Sequence, residues 1–234
     1  MRRIFKAHSA PELFYLETGK IPLRFVVYKR RLMCLWHILN TSENELIHKV
    51  YSVQKLQTTR GDWFGLVQNT KEILSIDKSD EEIQKMKQET FRSFVEKKIQ
   101  MGAFLYLLNL AKKHSKSKFT WHQKKLEKQE YLNDVRFTKI DIQLLFALKT
   151  RMVDVKSNFE NLYNNSQECQ TCDDKSVAEN ENHILHCENL KTEESVQIKF
   201  EDVYGTVEEQ LNAVKIFRTI LRKREILIEL KEND

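Results

Sequence analysis

Glycine and proline are scarce in this chain, with 5 and 2 among 234 residues, where average usage would give about 16 and 12. Their scarcity removes most of the vocabulary of tight β-turns, so the sequence predicts a mainly α fold. Long apolar runs are missing as well. No stretch approaches the roughly 20 residues that a bilayer span needs, and Met1-Arg2-Arg3-Ile4-Phe5-Lys6 lacks the apolar stretch of a secretory signal. A soluble protein with no membrane partner is therefore expected. Glycine-rich phosphate loops and the nucleophile elbow of serine hydrolases are also absent, which argues against a small-molecule substrate. Cysteine is limited to four residues. Three of them fall together in a polar stretch and Cys34 lies in an apolar helical one, so a disulfide framework is not expected and the compartment should be reducing, nucleus or cytoplasm.

Those three cysteines are the most informative residues present. Cys169-x2-Cys172 is followed by His183-x3-Cys187, a set of soft donors at the spacing of a tetrahedral zinc site. His183 and Cys187 are four apart and project together from a helix, whereas His186 would point about 100° away from Cys187. With all four positions filled by protein, no place remains for an activated water, so the expected zinc is structural. The alternative is a set of ordinary buried cysteines beside surface histidines. Gln167, Glu168, Gln170, Thr171, Asp173 and Asp174 weigh against it, because they leave unligated thiols little apolar packing to join.

Helical periodicity covers most of the remainder. Pro11 opens a run that Gly19 can end, and Pro22 restarts one through Phe25, Leu32, Leu35 and Leu39. Ser42 with Glu45, Ser79 with Glu82, Thr138 with Asp141 and Thr206 with Glu209 have the spacing of capping boxes, and Asp62 can cap a further helix. The longest helix is expected through Phe91, Val95, Ile99 and Ala103. Val196, Ile198 and Phe200 alternate with polar residues, which allows a short strand although no partner strand is evident. The expected architecture is a multi-helix bundle (residues 1–152), a small zinc knuckle (153–195) and a final amphipathic helix (196–234).

The net charge of +5 is modest, but the cations are clustered. Lys29, Arg30 and Arg31 form one knot. Lys112, Lys113, Lys116, Lys118, Lys124 and Lys125 form a second, with His114, Phe119, Trp121 and His122 between them, and Arg222, Lys223 and Arg224 form a third. Segregated positive charge suits a polyanion, since each phosphate contact releases condensed counterions. Aromatics among lysines can also stack on unpaired bases, which makes Trp121 a candidate, although it could equally anchor a core. RNA or DNA is the expected partner, and ordinary solvated helix faces are the alternative, above all for the first and third knots.

Several strings, taken in order, resemble the C-terminal region of non-LTR (LINE-type) retrotransposon reverse transcriptases, downstream of the polymerase domain. They are Leu13-Phe14-Tyr15-Leu16-Glu17-Thr18-Gly19-Lys20-Ile21-Pro22, Arg30-Arg31-Leu32, Leu35-Trp36-His37-Ile38-Leu39, Asn44-Glu45-Leu46-Ile47, Gly61-Asp62-Trp63, Ser79-Asp80-Glu81-Glu82-Ile83, His114-Ser115-Lys116-Ser117-Lys118, the segment 144–152 and the Cys-Cys-His-Cys cluster. The resemblance implies a post-thumb linker and a zinc knuckle that help hold template RNA or target DNA, with Cys169, Cys172, His183 and Cys187 in the knuckle's ligand role. It also implies a reverse transcriptase acting in trans as a possible partner. The chain departs from a complete enzyme in one respect: no Phe/Tyr-x-Asp-Asp turn exists to hold two metal ions, and the only Asp-Asp pair, Asp173-Asp174, sits inside the zinc loop. A restriction-like nuclease would need Pro-Asp and Glu/Asp-x-Lys; Glu201-Asp202 has neither the proline nor the lysine. A non-catalytic nucleic-acid-binding fragment or remnant is expected, and a helical protein-interaction scaffold is the alternative.

Overall fold

A computed structural model describes residues 11–57, 61–113, 123–159, 167–172 and 176–233. Among these residues all regular structure is helical: α1 (Pro11–Thr18), α2 (Leu23–Leu39), α3 (Leu46–Gln57), α4 (Trp63–Ile73), α5 (Asp80–Gln84), α6 (Gln88–Ala111), α7 (Lys139–Lys149), α8 (Glu181–His186) and α9 (Val207–Asn233). The fold is mainly α, with a Cys-Cys-His-Cys cluster near its C-terminus. No described helix is long and apolar enough to cross a membrane.

Local chemistry sets the helix ends. Gly19 has φ 64°, a left-handed geometry that stops α1 at no steric cost. The Asp62 side chain accepts the Gly65 N–H at the start of α4, and reciprocal capping boxes open α5 (Ser79 with Glu82) and α7 (Thr138 with Asp141). Thr206 and Glu209 exchange the same pair of bonds ahead of α9. Ser42 behaves differently from its spacing. Its hydroxyl accepts from Asn44 and its carbonyl from Glu45, so it closes a turn and α3 starts only at Leu46.

The chain forms two compact units. One is nearly contiguous, residues 19–109 with 125–127. Its core joins Phe25, Leu32 and Leu35 of α2 to Tyr51 of α3, Val67 of α4, Ile83 of α5 and Phe91, Val95 and Ile99 of α6. Burying each such side chain contributes about 1.5 to 3 kcal/mol.

The other unit gathers residues 11–18, 110–124 and 128–234. Its core joins Leu145 and Leu148 of α7, Cys169, Ile184, Leu185 and Cys187, and Ala213, Val214, Phe217 and Ile220 of α9. The sequence boundaries drawn at 152 and 195 fall inside this shared core, because helix, knuckle and final helix bury against one another. Lys149 ties α1 in: its ammonium meets Glu17 at 3.1 Å, both fully buried, and lies over the Tyr131 ring. The strand allowed at 196–200 is instead two 3-10 turns, Glu194–Gln197 and Phe200–Tyr204. Burial alternates only over Gln197 to Phe200, with Ile198 and Phe200 buried but Val196 exposed, and Ser195 bonds back to Thr192 and Asp202 to Lys199. Local side-chain bonds replace the absent ladder partner.

Candidate metal centre

The first ligand pair lies on a tight loop and the second on a short helix. An isolated antiparallel bridge between Glu168 and Ala178 closes the loop's base, with Cys169 N–H donating to the Val177 carbonyl and Glu179 N–H to the Gln167 carbonyl. Across from it, the Asn180 side chain accepts the His183 N–H and caps α8. Cys187 ends that helix in an extended conformation, and its carbonyl accepts from both Leu190 and Lys191. The turn after α8 is thereby fixed, and the Cys187 thiol is aimed at the loop.

One potential ligand atom from each of Cys169, Cys172, His183 and Cys187 lies within 4.8 Å of the others. Tetrahedral zinc would separate its donors by roughly 3.6 to 3.8 Å, given Zn–S near 2.3 Å and Zn–N near 2.0 Å. Cys172 Sγ and His183 Nε2 are already 3.6 Å apart, and closing the remaining gaps takes shifts of about 1 Å or less on that scale. Cys169 and Cys187 are buried while Cys172 and His183 are partly exposed. The four could hold a metal ion, and they are the four that spacing selected. His186 is exposed and outside the cluster. The donor set, three thiols and an imidazole, suits a soft or borderline cation.

Polar groups around Cys169 favour its thiolate. The Thr171 hydroxyl, fully buried, lies 3.2 Å from Cys169 Sγ and 3.5 Å from Cys187 Sγ. Burial opposes ionisation of Cys169, but hydrogen bonds from Thr171 and from the backbone N–H groups of Cys172 and Thr171 outweigh it, holding that thiol below its ordinary value. Asn189 donates to the Thr171 carbonyl, and Lys231 reaches the carbonyls of both Gln170 and Thr171.

Thr171, Glu179, Asn180 and Arg224 escaped the sequence reading as site residues. Asn180, three before His183, carried a readable N-cap signal. Arg224 was counted in a basic knot, yet it falls on the stripe Ala213, Phe217, Ile220 of α9. It is buried, and it bonds Glu179 and Gln170, so the third knot is not a continuous solvated charge patch.

The proposed phosphate contacts are distributed as follows. Lys112, Lys113 and Lys124 are exposed, and Lys125 is exposed and paired with Glu127. Lys116, Lys118 and Trp121, with His114, Phe119 and His122, lie outside the described residues. Lys29 pairs with Glu96, and Arg31 donates to the Leu66 carbonyl and the Thr70 hydroxyl. Arg30 alone of that knot is exposed, because it faces away from the α2 core stripe while its neighbours reach α4 and α6.

Comparison with protein-family models, with curated proteins and with solved structures gave no match for this chain.

Proposed function

We propose that this chain is a non-catalytic nucleic-acid-binding module, of the kind that follows the polymerase in LINE-type reverse transcriptases, with a structural zinc at Cys169, Cys172, His183 and Cys187. The observation that carries the reading is the convergence of these four donors, which leaves a tetrahedral ion no open position for water. Zinc fits the donor set best because imidazole and thiolate together suit a borderline cation without redox chemistry. The exposed lysines at 112, 113 and 124 supply positive charge for a polyanion, and a reverse transcriptase acting in trans is the corresponding protein partner.

Mobility shift against RNA, single-stranded DNA and duplex DNA, with zinc present and removed, tests the reading. If about four lysines of the 112–125 stretch meet phosphates, log affinity should fall with log salt at a slope near −3 for single strands. Neutralising Lys112, Lys113, Lys116 and Lys118 together should flatten that slope and weaken binding equally across sequences. The absence of any shift at low salt would overturn nucleic-acid binding.

One observation favours a second reading, the interaction scaffold. On α3 the only buried residue is Tyr51, while Leu46, Val50 and Val53 line the opposite side and are 75, 47 and 50% exposed. That i, i+4, i+7 spacing suits the groove of a partner helix.

A further inference from the structure

Glu179 is the most heavily used carboxylate near the metal centre. It is completely buried, and its side chain accepts from Arg224 at 2.6 Å, from the backbone N–H of Gln170 at 2.9 Å and from that of Lys156 at 3.3 Å. Its own N–H and carbonyl bond Gln167 and Ser157. Gln170 lies between the ligands Cys169 and Cys172, so the Glu179 carboxylate fixes a peptide on which both thiols depend for direction. A buried carboxylate holds its charge only with a counter-charge beside it. Arg224, 45 residues away along the chain, supplies that charge and adds a 2.8 Å bond to the Gln170 side chain.

We propose that Arg224 is a positioning residue of the metal centre: through Glu179 it holds the Cys169–Cys172 loop in its ligating conformation, so that metal affinity and the docking of α9 are linked. This inference rests on the metal-binding reading above. Two cations of the same helix converge on the loop, since Lys231 also donates to the Gln170 and Thr171 carbonyls at 3.2 Å. Both cations also lie close to a site that carries a net negative charge once three thiolates and a neutral imidazole surround a divalent ion. Partners that orient ligands without touching the metal ordinarily account for a 10- to 100-fold share of its affinity. Coupling of this sort is reciprocal, so whatever factor Arg224 adds to metal affinity, bound metal returns to the docked state of α9.

The test uses the full chain and zinc itself, with affinity read by competition against a chromogenic chelator. Arg224→Met keeps the aliphatic stem and removes the charge, and it should weaken zinc about 10- to 100-fold. Gln170→Ala removes only one acceptor on a partly exposed residue and should give a smaller loss in the same direction. Substituted cobalt should report a changed ligand field in Arg224→Met, which a purely packing role for Arg224 would leave unaltered. In the unaltered chain, zinc should slow amide exchange along α9 around Arg224. Tight zinc binding by the unaltered chain, with the same affinity in both variants, overturns this inference alone. Should Arg224→Met fail to fold, an unchanged Gln170→Ala affinity together with zinc-independent exchange in α9 overturns it. A chain that binds no zinc overturns the metal centre itself and the inference with it.

Discussion

Asp80 shows what one side chain does at the junction of three helices. It opens α5, accepts the Tyr51 hydroxyl at 2.7 Å and Lys55 at 3.0 Å, and has Lys71 at 3.8 Å. Burial opposes its ionisation, but the bonds from Tyr51 and Lys55 and the charge of Lys71 outweigh burial and hold the carboxyl below its ordinary value. A depressed carboxyl stabilises the fold in full above the unfolded-chain value near 4, and that contribution is lost as pH falls through the native value. Asp80→Asn should therefore cost about 1 to 3 kcal/mol at pH 7, the scale of hydrogen bonds to a charged group, and progressively less below about pH 4. Denaturant titrations followed by tryptophan fluorescence at pH 7 and pH 3 would show this. A difference that does not change with pH would assign the effect to shape and not to charge.

At the scale of the element, α6 carries a glycine in its interior. A Cβ at Gly102 would sit 2.8 Å from Leu74 Cδ2 and 3.3 Å from Phe25 Cε1, and both neighbours are buried with little room to yield. Alanine would add up to about 1 kcal/mol of helix propensity, against an overpacking cost of about 1 to 3 kcal/mol. Gly102→Ala should thus lower the melting temperature of this unit, and a rise would show that Leu74 swings aside freely. Nothing in the sequence marks that contact, because it joins residues far apart in the chain. Helix ends were legible for the opposite reason. Ser79 with Glu82, Thr138 with Asp141 and Thr206 with Glu209 act within one turn, so spacing alone reveals them. Spacing misled where a hydroxyl had another suitor, as at Ser42, and where period-two alternation at Val196, Ile198 and Phe200 had no strand to pair with. The four candidate metal ligands were readable from donor type and interval. The groups that orient them, Glu179 and Arg224, were not, since their pairing depends on how α9 packs.

For the whole molecule, two separate cores predict two thermal transitions, of which one alone should respond to zinc. Cys169 and Cys187 are buried in the same core as α7 and α9, and metal binding by such ligands is coupled to folding. Chelation should lower the transition of the unit containing residues 128–234 and leave that of residues 19–109 in place, as differential scanning calorimetry with and without a chelator would show. A uniform shift of both would mean that the metal acts elsewhere. The same unit draws α1 from the other end of the sequence, through Glu17 and its partner 132 residues on. During synthesis at about 5 to 20 residues per second, Glu17 waits roughly 7 to 26 s for Lys149 to emerge, and Leu13 and Leu16 wait with it. The intervening helices can meanwhile close their own core as a nearly uninterrupted stretch, so residues 19–109 can finish folding on the ribosome before α1 meets its Lys149 partner.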